Sequence, residues 1–217
     1  MASTPNEHRA TGASLAVIIL VSAAFIAVTV IHTLRTDLDP VREVMSAYAN
    51  GSHGVVMTTA FYALGVAALL MSFRLPKATH RSMLARGVAV LLAASGVGLV
   101  LAGVFEVERP LVPDTIEEII HSDAAIGAFV LLIGAMVLFA VVCRRDVRWH
   151  TFFGPGLTLA TIAVIGAGLS PVADRTPWTG LAQRALGLTV FTWLLLVAVR
   201  IRFHPAHQPP APVLEAP

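Results

Sequence analysis

Polar and titratable side chains are scarce in this chain, and those flanking its apolar runs fall into patterns that bear on three kinds of chemistry. His32, His53 and His121, together with Asp37, Asp39, Glu106, Glu117 and Asp123, are the residue types of a zinc centre. Three histidines and a carboxylate would hold the ion and leave a position for water, the arrangement of a metal-dependent hydrolase. No two histidines stand at i, i+4; Glu117 and His121 do, which alone is a weak signal. His121-Ser122-Asp123 has the composition of a catalytic triad, but consecutive helical residues point in different directions and cannot assemble one locally. No catalytic residue is assigned. A ligand-binding cluster asks for less: Asp39, Ser46, Tyr48, His121, Asp123, Gln183 and Arg184 are polar groups contributed by separate stretches between apolar runs.

The elements that must position these residues are membrane helices. Of 217 residues, 56% are hydrophobic and 13% charged, and the mean hydropathy is +0.78. A soluble domain carries roughly 25% charged residues. The apolar runs reach the roughly 20 residues that a spanning helix needs. Six are expected, at about 13–34, 54–73, 84–105, 122–143, 152–170 and 180–199. Unpaired backbone is prohibitive in lipid, so such runs must be helical. The expected fold is therefore an all-α polytopic bundle over residues 13–203. A polar segment over 1–12 precedes it and a Pro- and Ala-rich disordered tail over 204–217 follows. The first run is longer than a secretory core and lacks a small-x-small cleavage site, so it reads as a retained span. The single cysteine, Cys143, excludes an internal disulfide framework.

Orientation follows from arginine and lysine. One side carries ten basic and three acidic residues, a net of +7; the other carries five and ten, a net of −5. The positive-inside rule then places both termini in the cytoplasm of a bacterium and the polar cluster on the outer face of its cytoplasmic membrane. Trp149 and Trp178 fall at the two boundaries, where interfacial anchors sit. Ala94, Gly98 and Ala102, and again Gly156 and Ala160, have the spacing that lets helix backbones approach, read as packing within one bundle.

In the first outer connection, Asp39 suits an N-cap and Pro40 the first helical position. Val41, Val44, Met45 and Tyr48 follow at i, i+3, i+4 and i+7, which predicts a short amphipathic helix capping the bundle mouth. Asp114-Thr115-Ile116-Glu117 has the spacing of a capping box leading into the fourth span. Arg184, about one turn inside the sixth span, must snorkel or meet a carboxylate, with Asp123, Glu106 and Asp39 as candidates.

Leu34-Arg35-Thr36-Asp37-Leu38-Asp39-Pro40-Val41, Ser46-Ala47-Tyr48 and Gly51 before the second span, taken together, resemble the domain-of-unknown-function 998 family. So do a histidine opening the fourth span and Gly180-Leu181-Ala182-Gln183-Arg184 opening the sixth. The resemblance runs from the first span to about Phe203 and implies a small bacterial multi-pass membrane protein of no established activity. By position it implies outer-face roles for Asp39, Ser46, Tyr48, His121, Gln183 and Arg184. Phe105-Glu106-Val107-Glu108 stands where members carry Phe-Pro-x-Asp.

Three functions fit this pattern. The preferred one is a protein embedded in the lipid bilayer that binds a lipid, a small amphiphile or a partner subunit at an outward-facing polar cluster, without catalysis. A transporter is the second, weakened by span centres that lack ionisable residues. A hydrolase at the outer membrane surface is the third, and only that reading requires a cofactor, zinc. The basic loops are too short and dispersed for nucleic acid.

Overall fold

Two capping side chains show how apolar runs become helices with defined starts. Ser82 Oγ accepts from the Ala85 amide at 3.1 Å, and Thr115 Oγ1 accepts from the Glu118 amide at 3.3 Å. Each satisfies one of the orphan donors of a helix N-terminus. The computed structural model of the protein describes residues 5–80, 82–105, 115–173 and 176–203. In it the chain forms six long helices: α1 (Pro5–Leu34), α2 (Gly54–Ala78), α3 (Met83–Val104), α4 (Ile116–Arg145), α5 (His150–Ala173) and α6 (Thr179–Phe203). All six are long and apolar enough to cross a membrane, and no strand is present among the described residues. The protein is a multi-pass membrane protein.

Each expected span coincides with one helix, and several helices run on past it. α1 continues back to Pro5 through polar residues, because extending a formed helix adds one hydrogen bond per residue fixed. The capping box falls one residue later than its predicted register: Thr115, not Asp114, is the N-cap, and Glu118 is its third helical residue. Asp114, Glu106 and Arg109 lie outside the described residues, as does the tail from His204.

Neighbours in sequence are neighbours in space. α1 packs on α2, α2 on α3, α3 on α4, α4 on α5 and α5 on α6, and α6 returns to α1 to close the ring. α1 turns a heptad-spaced stripe inward, with Ser14, Val17, Val21, Ala24 and Ile31 buried, and Arg35 just past its end is buried as well. α2 and α3 cross backbone to backbone: a Cβ on Gly65 would stand 2.9 Å from the Gly96 carbonyl, and one on Gly96 2.7 Å from the Gly65 carbonyl. Small residues permit this approach where lipid supplies no hydrophobic driving force. Gly98, singled out by its spacing, serves a different contact, against Ala124 and Ala128 of α4.

The amphipathic helix expected after α1 does not form. Asp39 Oδ1 does accept from the Val41 amide at 2.9 Å, and the Arg42 and Glu43 amides bond back to the Asp39 carbonyl. The turn stops there, because the chain must fold inward to bury Met45 and Tyr48 in the five-residue 3-10 helix Met45–Ala49. That segment packs into the bundle against α2 and α6. Trp149 also departs from expectation. It is 3% exposed, stacked edge-on against Phe139 and Phe152, with its indole N–H donated to the Ala78 carbonyl at 2.9 Å. It locks the α4–α5 joint to the end of α2 and is not a lipid-facing anchor, whereas Trp178 is exposed.

Candidate functional site

The end of the bundle bearing the α1–α2, α3–α4 and α5–α6 connections contains a cavity of about 490 Å³. That is within the roughly 300–1,000 Å³ of small-molecule sites. Every one of the six helices and the 3-10 helix contributes to its wall. Its polar lining comes from Ser46, Glu118, His121, Ser122, Thr179 and Gln183, all near helix starts or in the 3-10 helix. Deeper along α4 and α6 the lining is apolar, from Phe129, Ile133 and Leu186, and α2 and α3 add Phe61, Leu64 and Leu99. On α4 the lining residues recur at helical spacing, with Glu118, Ser122, Ile126 and Val130 on one stripe. Ile126 and Val130 are 65% and 61% exposed while forming that wall, so the cavity is open at the bundle's side along α4.

His121 is the most constrained polar residue of the lining. It is 3% exposed, and its Nδ1 lies 2.7 Å from the Ala102 carbonyl and 2.9 Å from that of Phe105. Carbonyls only accept, so Nδ1 carries a proton, and in the neutral ring Nε2 is left as an acceptor. The ring stands edge-on to Phe61 at 5.8 Å. Gln183 faces the cavity from α6, and its Oε1 accepts from the Met45 amide at 2.5 Å.

A second polar cluster, next to the cavity in sequence but not part of its wall, is built on Arg184. Its Nε donates to His32 Nε2 at 2.8 Å, and Nη1 donates to the carbonyls of Glu43 at 2.7 Å and Gly180 at 2.9 Å. The guanidinium also sits over the Tyr48 ring, 5.2 Å from its centre. Arg184 thus neither snorkels nor meets a carboxylate; a neutral histidine, two carbonyls and a ring face hold it. His32 Nδ1 donates to the Val28 carbonyl at 2.5 Å, so both of its ring nitrogens are engaged. Tyr48 is buried, with its hydroxyl donating to the Leu38 carbonyl at 3.1 Å. Burial raises its pKa above the usual phenol value, against the opposing pull of Arg184.

A model of the family described as Protein of unknown function (DUF998) matches residues 15–200. The chain belongs to this family. No curated protein and no solved structure matches it. The DUF998 match takes in all the cavity-lining residues, which run from Val28 to Phe191.

Within this DUF998 chain the structure divides the residues singled out by sequence into three groups. Ser46, His121 and Gln183 line the cavity. Tyr48 and Arg184 form the adjoining cluster with His32. Asp39 and Asp123 are exposed and line no part of the cavity; Asp39 sits 3.5 Å from Arg42, and its charge reaches the Tyr48–Arg184 cluster without a hydrogen bond to it. The three histidines named for zinc are held apart in role: His32 is saturated, His53 is exposed in a left-handed conformation before α2, and His121 lines the cavity. Among the described residues no group of three His, Cys, Asp or Glu side chains is placed to hold a metal ion.

Sequence reasoning passed over Glu118, Ser122 and Thr179 as lining residues. The signal was present in the capping pattern: reading Thr115 to Glu118 as the box puts Glu118 three residues before His121, on the same helix face. Nothing in the sequence marks Arg35 as a structural residue. It is buried, forks onto both Asp37 carboxylate oxygens at 2.8 Å, and donates to the Asn50 carbonyl, tying the end of α1 to the start of α2. The hydrogen bond to Asp37 outweighs burial and raises the pKa of Arg35 further, so the guanidinium stays charged in its buried position.

Proposed function

We propose that this DUF998 protein is a non-catalytic membrane protein that binds a lipid or small amphiphile, held in the cavity with its polar head toward the connections and its chain in the apolar depth. One observation carries this reading. The lining changes from polar at Glu118, His121 and Gln183 to apolar at Phe129, Ile133 and Leu186 along α4 and α6, helices whose lengths cross the membrane. An amphiphile has that same gradient, and the side opening at Ile126 and Val130 gives its chain a route from the bilayer. The charge asymmetry of the sequence orients the cavity outward in the cytoplasmic membrane, so the ligand would come from the outer leaflet or from outside.

Ala125 lines the cavity, and Ala125→Phe would fill part of it. The test is native mass spectrometry of protein released gently from its own membrane. A lipid-sized or metabolite-sized increment on the wild type, lost or reduced in Ala125→Phe, is the expected result. A bare mass in both proteins sinks the reading and favours a partner subunit as the ligand. A chelator-sensitive, metal-sized increment would instead favour the hydrolase.

A further inference from the structure

The described lining has one charged group and it is an acid. Glu118 is half-buried, lines the cavity, and makes no ion pair among the described residues. Its backbone N–H is taken by Thr115 Oγ1, but the reciprocal bond from its carboxylate back to Thr115, which would close the capping box, is absent among the described residues. The carboxylate is therefore left to the cavity. Three residues on, His121 presents the acceptor nitrogen Nε2 on the same helix face, because Nδ1 is spent as a donor on Ala102 and Phe105. Among the described residues no arginine or lysine lines the cavity; Arg184 lies outside its wall, held through Nε and Nη1 by His32, Glu43 and Gly180, and Arg42 is 69% exposed beside Asp39. Glu117 and Asp123, exposed on the same stretch of α4, add to a negative potential at this end.

We infer that the cavity selects an amphiphile whose head is a primary ammonium, received by the Glu118 carboxylate and His121 Nε2. This rests on the amphiphile reading above. An ammonium carries three donors and no acceptor. Two of them meet Glu118 and His121, and the hydroxyls of Ser122 or Ser46 accept the third. A phosphate or carboxylate head would set acceptors against acceptors and a charge against a like charge, which discriminates by repulsion as well as by attraction. A hydroxyl head has a single donor and forgoes the ion pair.

The full-length protein in lipid nanodiscs, offered dodecylamine, dodecanol and dodecyl phosphate, tests this by native mass spectrometry. Dodecylamine should reach half-occupancy at a concentration about tenfold lower than dodecanol, the scale of one charge-assisted bond in a partly desolvated site. Dodecyl phosphate should bind more weakly than either. Glu118→Gln keeps shape and helix register, and should remove the preference for the amine while dodecanol binding persists. Equal binding of the three probes, or a preference for phosphate, overturns the head-group inference and leaves the amphiphile reading standing. If none of the probes binds, or if Ala125→Phe binds them all as the wild type does, the amphiphile reading fails as well.

Discussion

Arg184 makes three hydrogen bonds and a ring contact without touching a carboxylate. Each partner is a dipole fixed by the fold, so the cation keeps its charge and its directionality together. His32 can serve as the acceptor only as the neutral ring protonated at Nδ1, and the Val28 carbonyl selects that tautomer. Lysine would retain the charge and lose the fork. Arg184→Lys should therefore cost about 2 kcal/mol, in the range of lost bonds to charged groups. The unfolding midpoint in detergent reads this directly, and an unshifted midpoint would mean the cluster contributes nothing measurable. The residue types at this site were legible in the sequence, but their partners were not. Arg184 bonds to His32 across 152 positions of chain, and no local pattern announces such a pair.

The joints between helices are stapled by side chains at both ends of the bundle. Gly180 admits the turn after α1 against the start of α6: a Cβ there would collide with the Glu43 carbonyl and come 2.7 Å from that of Pro40. The Leu181 amide bonds the Val41 carbonyl at 3.0 Å across this contact. At the opposite end Asp146 is the hub. It is buried, accepts from the His80 amide at 2.6 Å and the Arg148 amide at 3.1 Å, and pairs with the Arg148 guanidinium at 2.9 Å. Burial alone would raise its pKa, but these donors together outweigh it and hold the carboxyl below its ordinary value. A depressed folded pKa gives stabilisation that is complete above the unfolded value, about 3.9, and lost as pH falls through the folded value. Asp146→Asn should be less stable than the wild type by about 1–2 kcal/mol at neutral pH, with the gap closing below about pH 4. A gap that stays constant with pH would remove the charge from the explanation. Helix starts and stops were readable here to within a few residues. The 3-10 helix was not, because burial of Met45 and Tyr48 overrides a local pattern that suits a longer amphipathic helix.

Across the whole molecule, the two ends differ in charge and in work. The described part of the basic end is knitted by Asp146, Arg148, Trp149 and Arg200; the other end holds the cavity and the Arg184 cluster. The positive-inside rule predicts which end faces out, and labelling can check it because Cys143 is buried and gives little background. A membrane-impermeant maleimide should label Ser52→Cys in intact cells and Lys77→Cys only after permeabilisation; both positions are exposed. The opposite pattern would invert the protein and place the cavity on the cytoplasmic side.

The number of membrane helices was settled by the amino-acid sequence alone, since lipid forces backbone groups to pair internally and makes every long apolar run a helix. The family was legible there too, in the order of its short motifs. Which face of each helix turns inward was decided only by the tertiary structure. Lipid and protein interior are equally apolar, so an α1 that buries Ser14, Val17, Val21, Ala24 and Ile31 is also hydrophobic on its other faces. For the same reason the cavity was invisible in sequence: Phe61, Phe129 and Leu186 line it, and nothing in their residue type separates them from neighbours that face lipid.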